Sequence, residues 1–111
     1  MTAFHAHLSD ALQGVPSPGN LAAEIARNGS MELEFYQPEA IDAQHPHTRD
    51  ELYVIARGQG VLTVEGREYR FPSGDVLFVP AHAEHRFTSF TSDFATWVVF
   101  YGPEGGESQT P

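Results

Sequence analysis

His45-Pro46-His47-Thr48-Arg49-Asp50-Glu51-Leu52-Tyr53-Val54-Ile55-Ala56-Arg57-Gly58 runs a cluster of chelating side chains into a strand. Glu51 to Arg57 reads as a strand, along which successive side chains point to opposite faces. Glu51, Tyr53 and Ile55 therefore share one face, and Leu52, Val54 and Ala56 the other. If the extended conformation reaches back to the histidines, His45 and His47, at i and i+2, also point the same way. Two imidazoles then aim at one point, which Glu51 can join once the chain has turned. His85, 38 residues beyond His47, is the candidate fourth ligand. Neutral imidazoles with one anionic oxygen suit Fe(II), Mn(II), Ni(II), Cu(II) or Zn(II) far better than Ca²⁺ or Mg²⁺. Pro46 has no N–H, so its backbone belongs at an edge or bulge. An isolated His-x-His pair is weak support for a metal site, and a surface histidine is the commoner explanation.

Turn signals surround this stretch at short intervals. Ten Gly and eight Pro punctuate 111 residues, a pattern of many short strands. Asn28-Gly29 separates the alternating runs Leu21 to Arg27 and Met31 to Tyr36, predicting a first hairpin. Gly66-Arg67 sits between Val61–Glu65 and Glu68–Phe71, predicting a second. Val76 to Val79, His85 to Phe90 and Phe94 to Tyr101 supply further strands. Leu8 to Gln13 predicts one or two helical turns with Ser9 as the N-cap, ended by Val15-Pro16-Ser17-Pro18-Gly19. The expected organisation is an N-terminal segment (1–19), one barrel domain (20–101) and a disordered, Gly- and Pro-rich tail (102–111). The fold class is all-β, a sandwich or barrel of antiparallel sheets.

Composition narrows the function. Six basic and fifteen acidic residues give a net charge of −9, and every basic residue is Arg. Such a chain repels phosphate backbones, so no nucleic-acid partner is expected. Without Lys there is no Schiff-base chemistry. Without Cys there are no disulfides, thiolate ligands or thiol nucleophiles. No signal peptide or membrane-length apolar run is present, so a cytoplasmic protein without a membrane partner is expected. An inward Glu51 carries Tyr53 and Ile55 inward, and an inward His85 carries Phe87. Polar groups among such walls describe a small-molecule pocket. Arg49 and Asp50 read as solvated loop charges. Trp97 shares a face of the last strand with Ala95 and Val99, and core packing or a dimer interface accounts for it. His5 and His7 read as bystanders.

The longer arrangement resembles the cupins. Their first motif is Gly, five residues, His-x-His, three or four residues, Glu, six residues, Gly. His45, His47, Glu51 and Gly58 fit it, with Glu39 in place of the leading Gly. Their second motif is Gly, five residues, Pro-x-Gly, two residues, His, three residues, Asn. Gly74, Pro80 and His85 fit it, with His82 in place of the Gly and Ser89 in place of the Asn. The resemblance implies a double-stranded β-helix, a jelly-roll barrel of six to eight strands. Within it His45, His47, Glu51 and His85 would hold one divalent transition metal, and Tyr53, Ile55, Phe87 and His82 would line the substrate pocket. His82 would stand near the mouth, where a solvent-facing turn histidine is the commoner reading and a proton-transfer group the alternative. Four protein ligands leave coordination positions open, as catalytic sites require. The resemblance implies a dioxygenase-like oxidoreductase acting on a small organic molecule. A metal-dependent isomerase, epimerase or cyclase, or a non-catalytic small-ligand-binding protein, is the alternative. No catalytic residue beyond the ligands is assigned. Cupins commonly pair, and the 21–37 hairpin with the apolar residues near Trp97 suggests a homodimer.

Overall fold

A computed structural model describes residues 2–14, 22–42 and 45–108. One short helix, α1 (Leu8–Gly14), precedes eight strands: β1 (Ala22–Asn28), β2 (Met31–Tyr36), β3 (Asp50–Arg57), β4 (Gly60–Val64), β5 (Arg67–Phe71), β6 (Val76–Val79), β7 (His85–Phe90) and β8 (Ala95–Tyr101). They form an antiparallel jelly-roll barrel of two sheets, one ordered β1-β2-β8-β3-β6 and one β5-β4-β7. The break at Val15–Gly19 lies outside the described residues, as does Leu21.

Period two decides what faces inward. Tyr53 and Ile55 on β3, Leu62 on β4, Phe71 on β5, Val79 on β6, Phe87 on β7 and Val98 on β8 are buried in one core. Aromatic edges meet faces within it, Tyr53 on Phe87 at 4.8 Å and Phe71 on Phe87 at 5.6 Å between ring centroids, the geometry their quadrupoles favour. A second cluster lies on the outer face of the larger sheet. There Ala11 and Leu12 of α1 cover Phe35, Ala95 and Trp97. The Trp97 face is therefore packed within the chain. On the edge strand β6 of the same sheet, Val76 (60 %) and Phe78 (48 %) are exposed apolar residues.

The turns follow backbone chemistry. Both central residues of the β4–β5 turn, Glu65 (φ 48°) and Gly66 (φ 79°), are left-handed, as a type I′ hairpin turn requires. This places the turn one residue earlier than Gly66-Arg67. The first hairpin pairs Asn28 with Met31, so Gly29-Ser30, not Asn28-Gly29, forms its loop. Gly58 (φ 83°) and Gly60 carry the chain from one sheet to the other. A Cβ on Gly58 would lie 2.7 Å from the Phe94 Cα, and one on Gly60 2.3 Å from the Ser89 carbonyl oxygen.

Two expectations are corrected. Ser9 lies inside α1, and His7 caps it by accepting the Ala11 N–H at 3.1 Å. Residues 102–108 fold back on the barrel instead of trailing from it. Gly105 N–H donates to Thr48 O at 2.7 Å, Gly102 N–H to Ser30 Oγ at 3.0 Å and Glu107 N–H to Asp50 Oδ2 at 2.9 Å.

Candidate metal centre

Asp50 opens β3 and is itself buried. Its Oδ1 accepts the Ala81 N–H at 2.9 Å while Oδ2 takes that of Glu107. One carboxylate thus ties the start of β3 to the turn before β7 and to the returning tail. Arg49 is paired as well. Its guanidinium bonds Glu32 Oε1 at 2.7 Å and the Ser30 carbonyl at 2.5 Å, and stands 5.9 Å over the Phe100 ring. Neither residue is the solvated loop charge expected of it.

One residue further, Glu51 turns into the interior, and His85 at the start of β7 meets it from the opposite sheet. His47 completes the group. Ligand atoms of His47, Glu51 and His85 all lie within 4.8 Å of one another. Ligands bonded at about 2.1 Å can stand up to about 4.2 Å apart across a shared ion, so a small closing movement suffices. His45 is not brought into this group. Residues 45–47 belong to no strand, so the alternation that would have aimed both imidazoles inward does not apply. The His45 side chain is exposed and lines a cavity with Pro46, Thr63, Glu84 and His85.

The chemistry of the three-residue group favours a cation. His85 Nδ1 lies 2.9 Å from the Ala83 carbonyl oxygen, which can only accept, so Nδ1 carries the proton. A neutral His85 then presents the Nε2 lone pair to Glu51 Oε1, 2.9 Å away. Both Glu51 oxygens and His85 Nε2 are buried without a well-aligned hydrogen bond. Two facing lone pairs repel unless a proton or a metal ion lies between them. Fixing an imidazole through its far nitrogen is also how metal-binding histidines are commonly oriented. Burial pulls the His85 pKa down, but the contacts with Glu51 and Ala83 outweigh it and the net direction is upward. His47 goes the other way, because burial dominates over the attraction of Glu51. The neutral imidazole is the form that ligates a metal. The His47 ring packs edge-on against Phe100 at 4.9 Å.

Tyr53, Ile55 and Phe87 are fully buried and form the packed floor beneath this group. His82 is exposed and left-handed (φ 68°), its N–H donating to the His47 carbonyl at 2.6 Å. It occupies the position where the resembling motif has Gly, and the backbone shows why Gly suits that place. Its side chain belongs to the turn surface.

Two functional neighbours have no counterpart in the sequence reading. Asp42 is buried; its Oδ1 accepts the Tyr36 hydroxyl at 2.5 Å and its Oδ2 the Phe87 N–H at 2.8 Å. It pins the segment before His45 to β7. Burial, and then the bond to Asp42, hold the Tyr36 phenol protonated. The other is Glu34. On β2, Glu32 pairs with Phe100 and Glu34 with Val98, so these glutamates face the barrel interior while Leu33 and Phe35 face outward. Glu32, Glu34, His47, Arg49, Phe100 and Glu104 line a cavity of about 310 Å³. No described helix is long and apolar enough to cross a membrane.

Comparison with known proteins agrees with this architecture. The Cupin domain family matches residues 32–101. The uncharacterized protein SCO3923 of Streptomyces coelicolor is 35% identical over 78 residues, which cover 70% of this chain and 74% of that protein. The HTH-type transcriptional activator RhaR of Salmonella choleraesuis is 34% identical over 67 residues, 60% of this chain but 23% of the activator. A Cupin 2 conserved barrel domain protein from Salinispora arenicola superposes with a TM-score of 0.69 at 21% identity, covering 91% of each chain. This chain belongs to the cupin domain family.

Proposed function

We propose that the protein is a metal-dependent oxidoreductase, dioxygenase-like, acting on a small organic molecule. The observation that carries this reading is the buried group of two histidines and one glutamate with orphaned ligand atoms. Two imidazoles and one carboxylate with open positions are the ligand set of non-haem iron oxygenases. His47, Glu51 and His85 would hold the ion, and His45 would join only by turning inward. When bound, Fe(II), Mn(II), Ni(II), Cu(II) or Zn(II) would supply Lewis acidity and, for the redox-active ions, electron transfer. The chain itself contributes orientation and dryness. Ala83 fixes the His85 tautomer, Phe100 braces His47, and Tyr53 with Phe87 seals the floor against water.

The isomerase reading requires a proton-transfer group near the substrate. Neither Tyr53 nor His82 supports it, since Tyr53 is sealed in the core and His82 faces solvent. The reading of a ligand-binding module without turnover rests on the likeness to part of RhaR. A homodimer is also proposed, formed across the exposed apolar edge at Val76 and Phe78; sedimentation of wild type against a Phe78→Ser variant tests it.

The deciding experiment measures bound metal, then oxygen consumption with catechols, diketones and thiols. Oxygen uptake coupled to substrate loss is the expected result. Turnover under argon would replace the oxidoreductase reading with an isomerase, and stabilisation without turnover would leave a binding protein.

A further inference from the structure

Strand β2 is built the unusual way round. Its apolar residues Leu33 and Phe35 face outward, Phe35 packing beneath α1 and against Trp97, and its two glutamates face the barrel interior. Inward charges are costly unless they are paired. Glu32 is paired, with Arg49 at 2.7 Å and Arg27 at 3.2 Å. The Glu34 carboxylate has no hydrogen bond or ion pair among the described residues, although it is half-buried beside Val98 in a cavity walled on another side by His47. Holding an unpaired carboxylate there stabilises nothing in the fold. Burial, reinforced by Glu32, Glu24 and Glu51, raises its pKa, so the protein holds its charged form at a cost. Glu104, from the tail that Asp50 and Thr48 hold in place, lines the same cavity. The wall thus carries three carboxylates against one guanidinium, and that guanidinium is engaged by Glu32. His47 joins this cavity to the metal-centre group, since it lines the one and belongs with the buried, orphaned atoms of Glu51 and His85 in the other.

We propose that Glu34 is the substrate-binding carboxylate of this site, and that the cavity takes a small molecule presenting an ammonium or hydroxyl donor to it while excluding phosphates and carboxylates. An ammonium entering beside Glu34 gains a charge-assisted hydrogen bond in a partly desolvated place. A phosphate or carboxylate there meets two uncompensated glutamates and has no free cationic side chain on the cavity wall to receive it. This inference rests on the metal-centre reading for the position of the reacting end of the substrate, but Glu34 and its cavity are independent of any ion.

Three matched probes test it: catechol, dopamine and protocatechuate, which share a ring diol and carry no further charge, an ammonium and a carboxylate. Calorimetry with wild type and Glu34→Gln, each manganese-loaded and chelator-stripped, gives the affinities. Metal uptake by wild type reports on the metal-centre reading; the ranking of the probes reports on Glu34. Wild type should prefer dopamine to protocatechuate by about tenfold or more, and Glu34→Gln should shrink that ratio to about threefold or less with unchanged metal uptake. A Glu104→Gln variant, altering an exposed carboxylate of the same lining, should shrink it less. An unchanged ratio in folded Glu34→Gln, a preference for protocatechuate, or no binding of any probe to wild type would overturn the proposal, whichever way the metal measurement falls.

Discussion

Glu51 Oε1 and His85 Nε2 lie 2.9 Å apart, brought together from two different sheets, while the far nitrogen of the same imidazole is held by the Ala83 carbonyl. This pair can be occupied by a proton or by a metal ion but not left empty without repulsion, and the two occupants compete.

That competition has a defined sign. His85 has a raised pKa when folded, so in metal-stripped protein its contribution to stability is complete below the unfolded value near 6.5 and fades as pH rises through the folded value. His47, with a lowered pKa, acts oppositely, and comparison with a His85→Gln variant isolates the His85 share. The melting-temperature gap between wild type and His85→Gln, measured in chelator, should be larger at pH 6 than at pH 9. Metal retention should change in the other direction and improve as pH rises. A gap that widens with pH would contradict the proton-sharing geometry.

Metal content should separate the histidines. His47→Ala is expected to lose most of the bound metal, His45→Ala to lose less, and His5→Ala to retain it. Elemental analysis of the purified variants checks this order, and equal loss in His45→Ala and His47→Ala would mean that His45 turns inward when an ion binds.

His82 adopts a left-handed backbone in which most side chains are strained by about 1 kcal/mol, yet its imidazole is exposed. Replacing it with Gly relieves that strain but loosens the unfolded chain. His82→Gly should therefore change stability by no more than about 1 kcal/mol, in the stabilising direction, with metal content unchanged. Gly58→Ala should do the reverse. It combines a positive φ with backbone 2.7 Å from the new Cβ, and a loss of about 1–3 kcal/mol in denaturant melts is expected.

Asp50 accepts two backbone N–H groups from inside the protein. An Asn there can satisfy one and must turn its own NH₂ toward the other. Asp50→Asn should cost about 1–3 kcal/mol, and protease should then release the tail before the barrel is cut.

The sequence made the strands legible because their inward residues obey period two: Glu51, Tyr53 and Ile55 are buried while Leu52 and Val54 are only partly so, and His85 brings Phe87 with it. It misled at His45 because alternation was carried back past the start of β3, where the Pro46 segment belongs to no strand. On β2 the pattern was visible but its direction was not. Hydrophobic alternation says that two faces differ, and only the covering helix α1 makes the apolar face of β2 the outer one. Asp42 and Asp50 left no local signal at all, since their partners Phe87 and Ala81 lie 45 and 31 residues away.

The Asp50 clamp has a practical corollary for anyone handling this protein. Residues 102–107 are stitched to the same carboxylate that seats β3, and Glu104 is part of the cavity wall. Cutting the polypeptide at Tyr101, where the last strand stops, would open the chamber and strip a hydrogen bond from beneath the ligands. Purification handles belong beyond Glu107, on a spacer, so that the seam stays closed.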